Sequence, residues 1–373
     1  MKIACIASSQ VPSSTANSIQ LMKACQALAQ VNGPVRLWLP GDRSSQWDEL
    51  AGHYGLSTPF EITWLRSWRW LRRYDLVWRA LRQARSWGAD LVYAWLPPAA
   101  LLALRNGLPA VLELHDCPSG RLAPRAFRQF VHHPGKKRLL VITAALRQRL
   151  EEDYGLPAGA DWVQIAPNGT ELERYDQLPE PAALRQELGL PQGLLVAYTG
   201  HLYAGRGVEL LFHLAQHFPQ VTFLWVGGRP PEVLPWQERL ETSGVRNVIM
   251  TGFVENRLLP RYQAAADILL MPYEQTIAGS SGGDSAEICS PMKMFDYLAA
   301  GKVILSSDLP VLHEVLNPGN AIFCPPEDVL AWQQVLAALL DDPQRRQQLG
   351  GQARRDAQRY AWRDRAQRAL QGM

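Results

Sequence analysis

The stretch KIACIASSQVPSSTANSIQLMKACQALAQVNGPVRLWLP, Lys2 to Pro40, decides the fold class. It opens on an apolar run and crosses the polar loop SQVPSSTAN. Ile19, Met22, Cys25 and Leu28 then recur at helical spacing before a second apolar run, PVRLWLP. Strand, helix, strand in that order is a β-α-β unit, which calls for a parallel sheet covered by helices.

The alternation continues outward from that unit. ADLVYAWL, PAVLELHD and RLLVIT read as strands, with short helices over 99–104 and near 125–131, and ALRQRLEEDYGL reads as a helix that stops at Gly155. After QIAPNGT, the Pro- and Glu-rich stretch LPEPAALRQELGLPQG leads into a second series. There LLVAYTG, VTFLWVGG, NVIMTGFV, DILLMPY and KVILSSD are strands, and RGVELLFHLAQHF, LLPRYQAAA and a segment opening at Ser290 are helices. From Val329 the chain reads as amphipathic helix, with an interruption expected at Gly350-Gly351. The fold class is therefore α/β with two doubly wound domains, 1–172 and 173–357.

Bulk properties agree with this. A chain of 373 residues, 47% hydrophobic and 20% charged, suits two ordinary cores and excludes a disordered protein. The longest apolar region, LVYAWLPPAALLAL, is shorter than a bilayer span and is broken by Pro97 and Pro98. The opening run lacks a signal-peptide pattern, so a cytoplasmic protein is expected. Five scattered cysteines without C-x-x-C spacing read as reduced thiols, and neither a metal site nor a cofactor is expected. The net charge of +3 hides an asymmetry: 20 Lys/Arg against 13 Asp/Glu up to Leu172, then 18 against 22.

Two segments carry chemistry. In SPMKMFDYLAAGKVILSSD, Ser290 to Asp308, Ser290 reads as a helix N-cap and Pro291 as the first helical residue. The amides of Met292 and Lys293 then point out of the helix start, where an anion is favoured and the lysine adds a formal charge. Asp296 sits a turn further in, within reach of the hydroxyls of a ligand whose phosphate lies at the helix start. A surface ion pair between Lys293 and Asp296 explains the same residues. In YTGHLYAGRGVELL, Gly200 follows a strand and Arg206-Gly207 opens a helix, again at the edge where α/β sheets bind ligands. Arg206 alone reads as a solvated arginine; two basic helix starts on one sheet edge make a diphosphate clamp.

These segments, with PNGTELERY and the longer run SPMKMFDYLAAGKVILSSDLPVLHEVL, resemble the corresponding blocks of the family 4 retaining glycosyltransferases, which have GT-B architecture. The resemblance covers almost the whole chain and is strongest from Ala166 to Arg368. It implies two Rossmann-like domains facing across a cleft, with the rear one holding a UDP- or GDP-linked sugar, the front one holding a carbohydrate or lipid-linked acceptor, and the last helix, 358–373, crossing back to pack on the front one. By the resemblance, Arg206 neutralises the leaving diphosphate, with Gly200 and His201 in the same loop. Ser290, Pro291, Met292 and Lys293 hold phosphate, Asp296 takes the ribose, Phe253 and Val254 lie against the base, and His115 stands beside the donor sugar at the reaction centre. His115, Arg206 and Lys293 are the catalytic candidates.

The chain departs from the family pattern at named places. His201 stands where relatives carry an arginine. The first acid of the paired-acid motif falls on Ile288, with Glu287 beside it. Asp296 is shorter than the usual Glu, and SSTAN, Ser13 to Asn17, replaces a Gly-Gly. The transfer chemistry implied is retention by same-face attack, with fixed cations rather than a metal stabilising the departing phosphate.

Alternatives remain at this level. A GT-B epimerase would need cleft carboxylates, for which Asp116 and Glu287 are available, and a catalytically silent nucleotide-sugar-binding module is compatible with the missing first acid. A dehydrogenase is disfavoured because no G-x-G-x-x-G follows the first strand, and no nucleic-acid module is present. The run RSWRWLRRYDLVWRALRQAR, 66–85, reads as a helix with Trp70, Tyr74, Val77, Trp78 and Leu81 on one face, Trp68 near the polar side and arginines over the remainder. It suits a sheet-covering helix or a peripheral contact with an anionic membrane surface.

Overall fold

The computed structural model describes residues 1–42, 45–67, 74–276 and 286–373. The chain divides into two compact units. The first comprises Met1–Asn168, Ile288–Ser290 and Trp362–Met373, and the second Gly169–Glu287 and Pro291–Ala361.

Among the described residues, the first unit holds β1 (Ile3–Ile6), β2 (Val35–Pro40), β3 (Glu61–Leu65), β4 (Leu91–Ala94), β5 (Ala110–Leu114), β6 (Lys137–Val141) and β7 (Val163–Ile165). They form one parallel sheet in the order β3-β2-β1-β4-β5-β6-β7. The chain thus starts in the middle, builds one way, then returns to build the other, and the switch point lies between β1 and β4. Every residue of β1, β4 and β5 is buried, as expected of central parallel strands covered on both faces. The edge strand β3 is the most exposed, and its mixed sequence EITWL did not announce it. The helix Trp47–Tyr54 before it was also not anticipated.

The second unit repeats the plan with β8 (Leu195–Thr199), β9 (Thr222–Val226), β10 (Val248–Gly252), β11 (Ile268–Met271), β12 (Val303–Ser307) and β13 (Ala321–Cys324), in the order β10-β9-β8-β11-β12-β13. All pairs are parallel, and the switch point falls between β8 and β11. Trp225, Phe223, Leu336 and Trp332 fill its core.

The C-terminal helices correct one expectation. The helix Pro343–Ala357 runs unbroken through Gly350-Gly351. A Cβ at Gly350 would lie 2.3 Å from the Gly301 carbonyl oxygen, so the glycine permits close packing on the end of the helix Met292–Ala300. The stretch from Val329 breaks instead at Asp342, between the helices Val329–Asp341 and Pro343–Ala357, and again at Gln358–Tyr360 and Ala361. The final helix, Trp362–Leu370, then returns to the first unit, packs along the helix Ala16–Asn32, and gives the Arg368 and Ala369 carbonyls to Arg138.

Candidate functional site

In the second unit, two β-α connections deliver cations to the switch point. After β8 the chain turns at Gly200 and enters the helix Val208–His217 through Gly207, whose φ of +67° is left-handed. A Cβ at Gly207 would fall 1.7 Å from the Pro272 carbonyl oxygen just past β11, so only glycine fits where the two loops touch. The amides of Gly205 and Gly207 donate to the Glu274 carboxylate at 2.8 and 3.1 Å. This helix start is thereby neutralised by the protein itself, and its contribution is the Arg206 guanidinium rather than its backbone dipole. Arg206 donates to the Tyr203 hydroxyl at 2.8 Å and lies 5.2 Å from the centre of the Tyr273 ring.

The second cation arrives from the helix Met292–Ala300. Lys293 Nζ lies 3.9 Å from the centre of the Tyr198 ring and 5.3 Å from that of Tyr273. It also sits 2.8 Å from where a Cβ on Gly200 would be, at a backbone φ of +147° that itself favours glycine. Arg206 and Lys293 thus share Tyr273, and among the described residues neither has an acidic partner. Burial first, and the Arg206 charge second, push the Lys293 ammonium well below the usual lysine range. Two basic groups held among aromatic faces, with Glu274 engaged by backbone amides rather than by either of them, are the arrangement an anion site requires.

The helix start at this site differs from expectation by one residue. Pro291 is the N-cap and Met292 the first helical residue, with no side-chain cap. Ser290 does not cap the helix: its hydroxyl oxygen accepts the Asn168 amide at 3.2 Å and its carbonyl accepts Asn168 Nδ2 at 2.7 Å. Those bonds tie Ser290 into the first unit. The amides of Met292 and Lys293 have no hydrogen-bond partner among the described residues, so the anion-binding feature of this helix start survives the shift.

Lys293 and Asp296 do not pair. Asp296, half-buried, accepts the Thr170 hydroxyl on Oδ1 at 2.9 Å. His201 turns its imidazole to Glu232, with Nδ1 3.2 Å from Oε2, while its carbonyl accepts the Tyr198 hydroxyl at 2.7 Å. Phe253, 48% exposed, and half-buried Val254 follow β10 on the same carboxyl edge of the sheet, where Gly200 and Gly227 bond across to Val226 and Gly252. Ile288, at the place of the first acid, is buried in the first unit's core, and its carbonyl accepts Thr143 Oγ1 at 3.0 Å; the adjacent Glu287 is exposed. Among the described residues, no three His, Cys, Asp or Glu side chains gather as a metal site would.

In the first unit, His115 stands just past β5 with Nε2 2.6 Å from Glu113 Oε1. Glu113 is 1% exposed, in the middle of an apolar strand, and its carboxylate is bound by Arg365 of the final helix through two nitrogens at 2.8 and 3.1 Å. Burial alone would raise the Glu113 pKa, but Arg365 and His115 hold it far below the carboxylate range. Sequence reasoning missed both Glu113 and Arg365. A glutamate inside the otherwise apolar AVLEL was the available signal, because a buried carboxylate requires partners. Of the SSTAN loop, Thr15 caps the helix Ala16–Asn32 and Ser13 donates its amide to the Tyr54 hydroxyl at 2.7 Å. Asp116 accepts the Cys117 amide at 2.7 Å.

Residues 19–174 match the model described as Glycosyltransferase Family 4, and residues 193–342 that described as Glycosyl transferases group 1. The D-inositol 3-phosphate glycosyltransferase of Xylanimonas cellulosilytica is 28% identical over 234 residues, covering 59% of this chain and 53% of that protein. The 2-deoxystreptamine glucosyltransferase of Streptomyces kanamyceticus is 24% identical over 240 residues, covering 57% of this chain and 60% of that protein. The chain therefore spans little more than half the length of these two relatives. Among solved structures, Anabaena Alr3699/HepE in complex with UDP superposes with a TM-score of 0.74 at 20% identity, covering 100% of this chain and 99% of that one. WaaG, a glycosyltransferase involved in lipopolysaccharide biosynthesis, gives 0.67 at 18%, covering 98% of each. These structural likenesses concern the fold; joined to the two family models, which between them take in most of the chain, they establish that it belongs to the family 4, group 1 glycosyltransferases and has their GT-B architecture.

Proposed function

We propose that the chain transfers a glycosyl group from a nucleoside-diphosphate sugar, UDP- or GDP-linked, to a hydroxyl of a carbohydrate or lipid-linked acceptor, with retention and without a metal or other cofactor. The observation that carries this reading is the convergence of Arg206 and Lys293 on Tyr273 at the switch point of the second sheet. As the bond from the anomeric carbon to the phosphate oxygen breaks, negative charge grows on the diphosphate, and fixed cations there stabilise the transition state more than the ground state. The acceptor oxygen bonds the anomeric carbon on the same face, and its proton passes to the departing phosphate oxygen. His115 is the first unit's contribution in this reading, and Phe253, Val254 and Asp296 serve the nucleoside. Uridine is the first base to test, because the Anabaena structural neighbour was solved with UDP and with UDP-glucose. Incubation with a panel of UDP- and GDP-sugars and a cell-extract acceptor should release nucleoside diphosphate with one donor. Tight binding of a donor without release would instead support the silent module.

A second reading concerns where the acceptor is met. Trp78 is 58% exposed on the helix Tyr74–Trp87, with the Arg82 guanidinium 5.8 Å from its ring, beside a hollow of about 550 Å³ that Arg85, Leu102 and Asn106 also line. The helices Pro97–Arg105 and Ala123–His132 continue this layer, where exposed Arg105, Arg125 and Arg128 carry no exposed acid among them. An exposed indole ringed by cations fits an anionic bilayer surface. Trp68 and Trp70 of the same run lie outside the described residues. No helix among the described residues is long and apolar enough to cross a membrane; the contact in this reading is peripheral, and the face it proposes is the cytoplasmic one. Sedimentation with phosphatidylglycerol vesicles but not with phosphatidylcholine vesicles, weakened in Trp78→Ser, is the expected result. Equal sedimentation with both, or with neither, removes this reading.

A further inference from the structure

We propose that Arg365, acting through Glu113, is a positioning residue for His115: the final helix of the chain sets the tautomer and orientation of that imidazole. The inference rests on the proposed function only for the consequence to turnover; its structural half stands on the hydrogen bonds alone. Glu113 Oε1 lies within hydrogen-bond distance of His115 Nε2 at 2.6 Å, Gln20 Nε2 at 2.5 Å and an Arg365 nitrogen at 2.8 Å. Oε2 takes the other Arg365 nitrogen at 3.1 Å and the Tyr93 hydroxyl.

Every neighbour of the carboxylate is a donor, and an ionised carboxylate only accepts. The His115 Nε2 must therefore carry the proton. Nδ1, which has no partner among the described residues, is left as the imidazole's free nitrogen. Glu113 is the group bonded to this imidazole; Tyr93 on β4, Gln20 on the helix Ala16–Asn32 and Arg365 on the final helix gather on its carboxylate, and Asp116 follows His115 in the chain. Burial first, and Glu113 second, keep the Tyr93 hydroxyl protonated far into the alkaline range, so it stays a donor.

Arg365 is 3% exposed and also donates to the Ala166 and Pro167 carbonyls, so its guanidinium has little freedom to follow a drifting carboxylate. A fully buried pair is weak evidence of stabilisation, because apolar residues of similar volume commonly hold a core as well. Its charge and two-pronged geometry are what a hydrophobic contact would lack, and these act on His115.

The test replaces both charges together in the full chain, Glu113→Gln with Arg365→Met, so that no lone charge is left buried. Two readouts follow: nitrogen-15 NMR of the His115 ring, and kcat and KM for donor turnover. The wild type should show the Nε2–H tautomer. The double variant should show mixed tautomers, because the charged acceptor that selects the Nε2–H form is gone. Turnover should fall about 10- to 100-fold, with donor KM little changed. Should the double variant fail to fold, Arg365→Lys supplies the same readouts, with an intermediate loss expected.

An unchanged tautomer in a folded variant overturns the inference. So does a changed tautomer with unchanged turnover, when His115→Ala alone is impaired. Should His115→Ala turn over normally as well, the role of His115 in the proposed function falls and the consequence for turnover with it, while the tautomer of the double variant still decides the structural half.

Discussion

The Arg206 guanidinium and the Lys293 ammonium lie over one ring, that of Tyr273, at 5.2 and 5.3 Å. Arg206 comes from the connection after β8 and Lys293 from the helix after β11, so the topology of the sheet makes neighbours of residues that are remote in sequence. Like charges gathered this way lack their counter-charge until an anion arrives. Arg206→Ala should therefore lower turnover by about two orders of magnitude, as loss of one transition-state donor typically does. Steady-state kinetics with a saturating donor measure this, and wild-type turnover in the variant would exclude the clamp.

The depressed Lys293 pKa gives a pH signature. Between its folded value and about 10.4, where a free lysine titrates, the unfolded chain binds more protons at this position than the folded one. Stability contributed by Lys293 therefore rises with pH through that window. A diphosphate favours the charged ammonium, so binding should take up a proton and weaken as pH climbs past the folded value. Calorimetric titration of UDP in two buffers of different ionisation enthalpy should show the uptake. Lys293→Met should abolish it, and equal heats in both buffers for the wild type would count against the assignment.

Gly207 joins the two loops mechanically. Its φ of +67° alone makes alanine unfavourable by about 1–3 kcal/mol, and the added methyl would collide with the Pro272 carbonyl. Gly207→Ala should lower the denaturation midpoint of the second unit and weaken UDP binding together, because relieving the collision moves Arg206 away from Tyr273. Gly189, also left-handed at φ +66° but with open space around it, is the control: Gly189→Ala should show only the conformational term and leave UDP affinity intact.

What was legible in the sequence followed burial. Central parallel strands are apolar on both faces, so IACI, LVAYT, ILLM and VILSS stand out as runs. The exposed edge β3 and the short strands β7 and β13 lack that signal. The Gly350-Gly351 pair read as a helix break because its cause, close approach of Gly301, lies far along the chain. Ser290 read as a cap for the same reason: by local rules serine before proline caps a helix, and its bonds to Asn168 are not local. That Lys293 and Arg206 come together was legible because helix starts on one sheet edge are a topological signal. Arg365 and Glu113 were missed because no periodicity connects positions 252 residues apart.

Asp296 offers the sharpest test of the nucleoside side of the site. Its Oδ1 already accepts the Thr170 hydroxyl, which fixes the carboxylate's orientation. A carboxylate held this way and accepting from ribose hydroxyls would contribute charge-assisted hydrogen bonds of about 1.5–3 kcal/mol each. Asp296→Asn should then weaken UDP binding about tenfold or more. The loss should shrink markedly for a uridine diphosphate lacking the 2′ and 3′ hydroxyls, because that ligand never made the bonds. Thr170→Val keeps the charge and releases only its orientation, so its effect should be smaller and should follow the same ribose dependence. An Asp296→Asn penalty of equal size for both ligands would assign the carboxylate to the protein's own packing with Thr170 rather than to the sugar of the nucleotide.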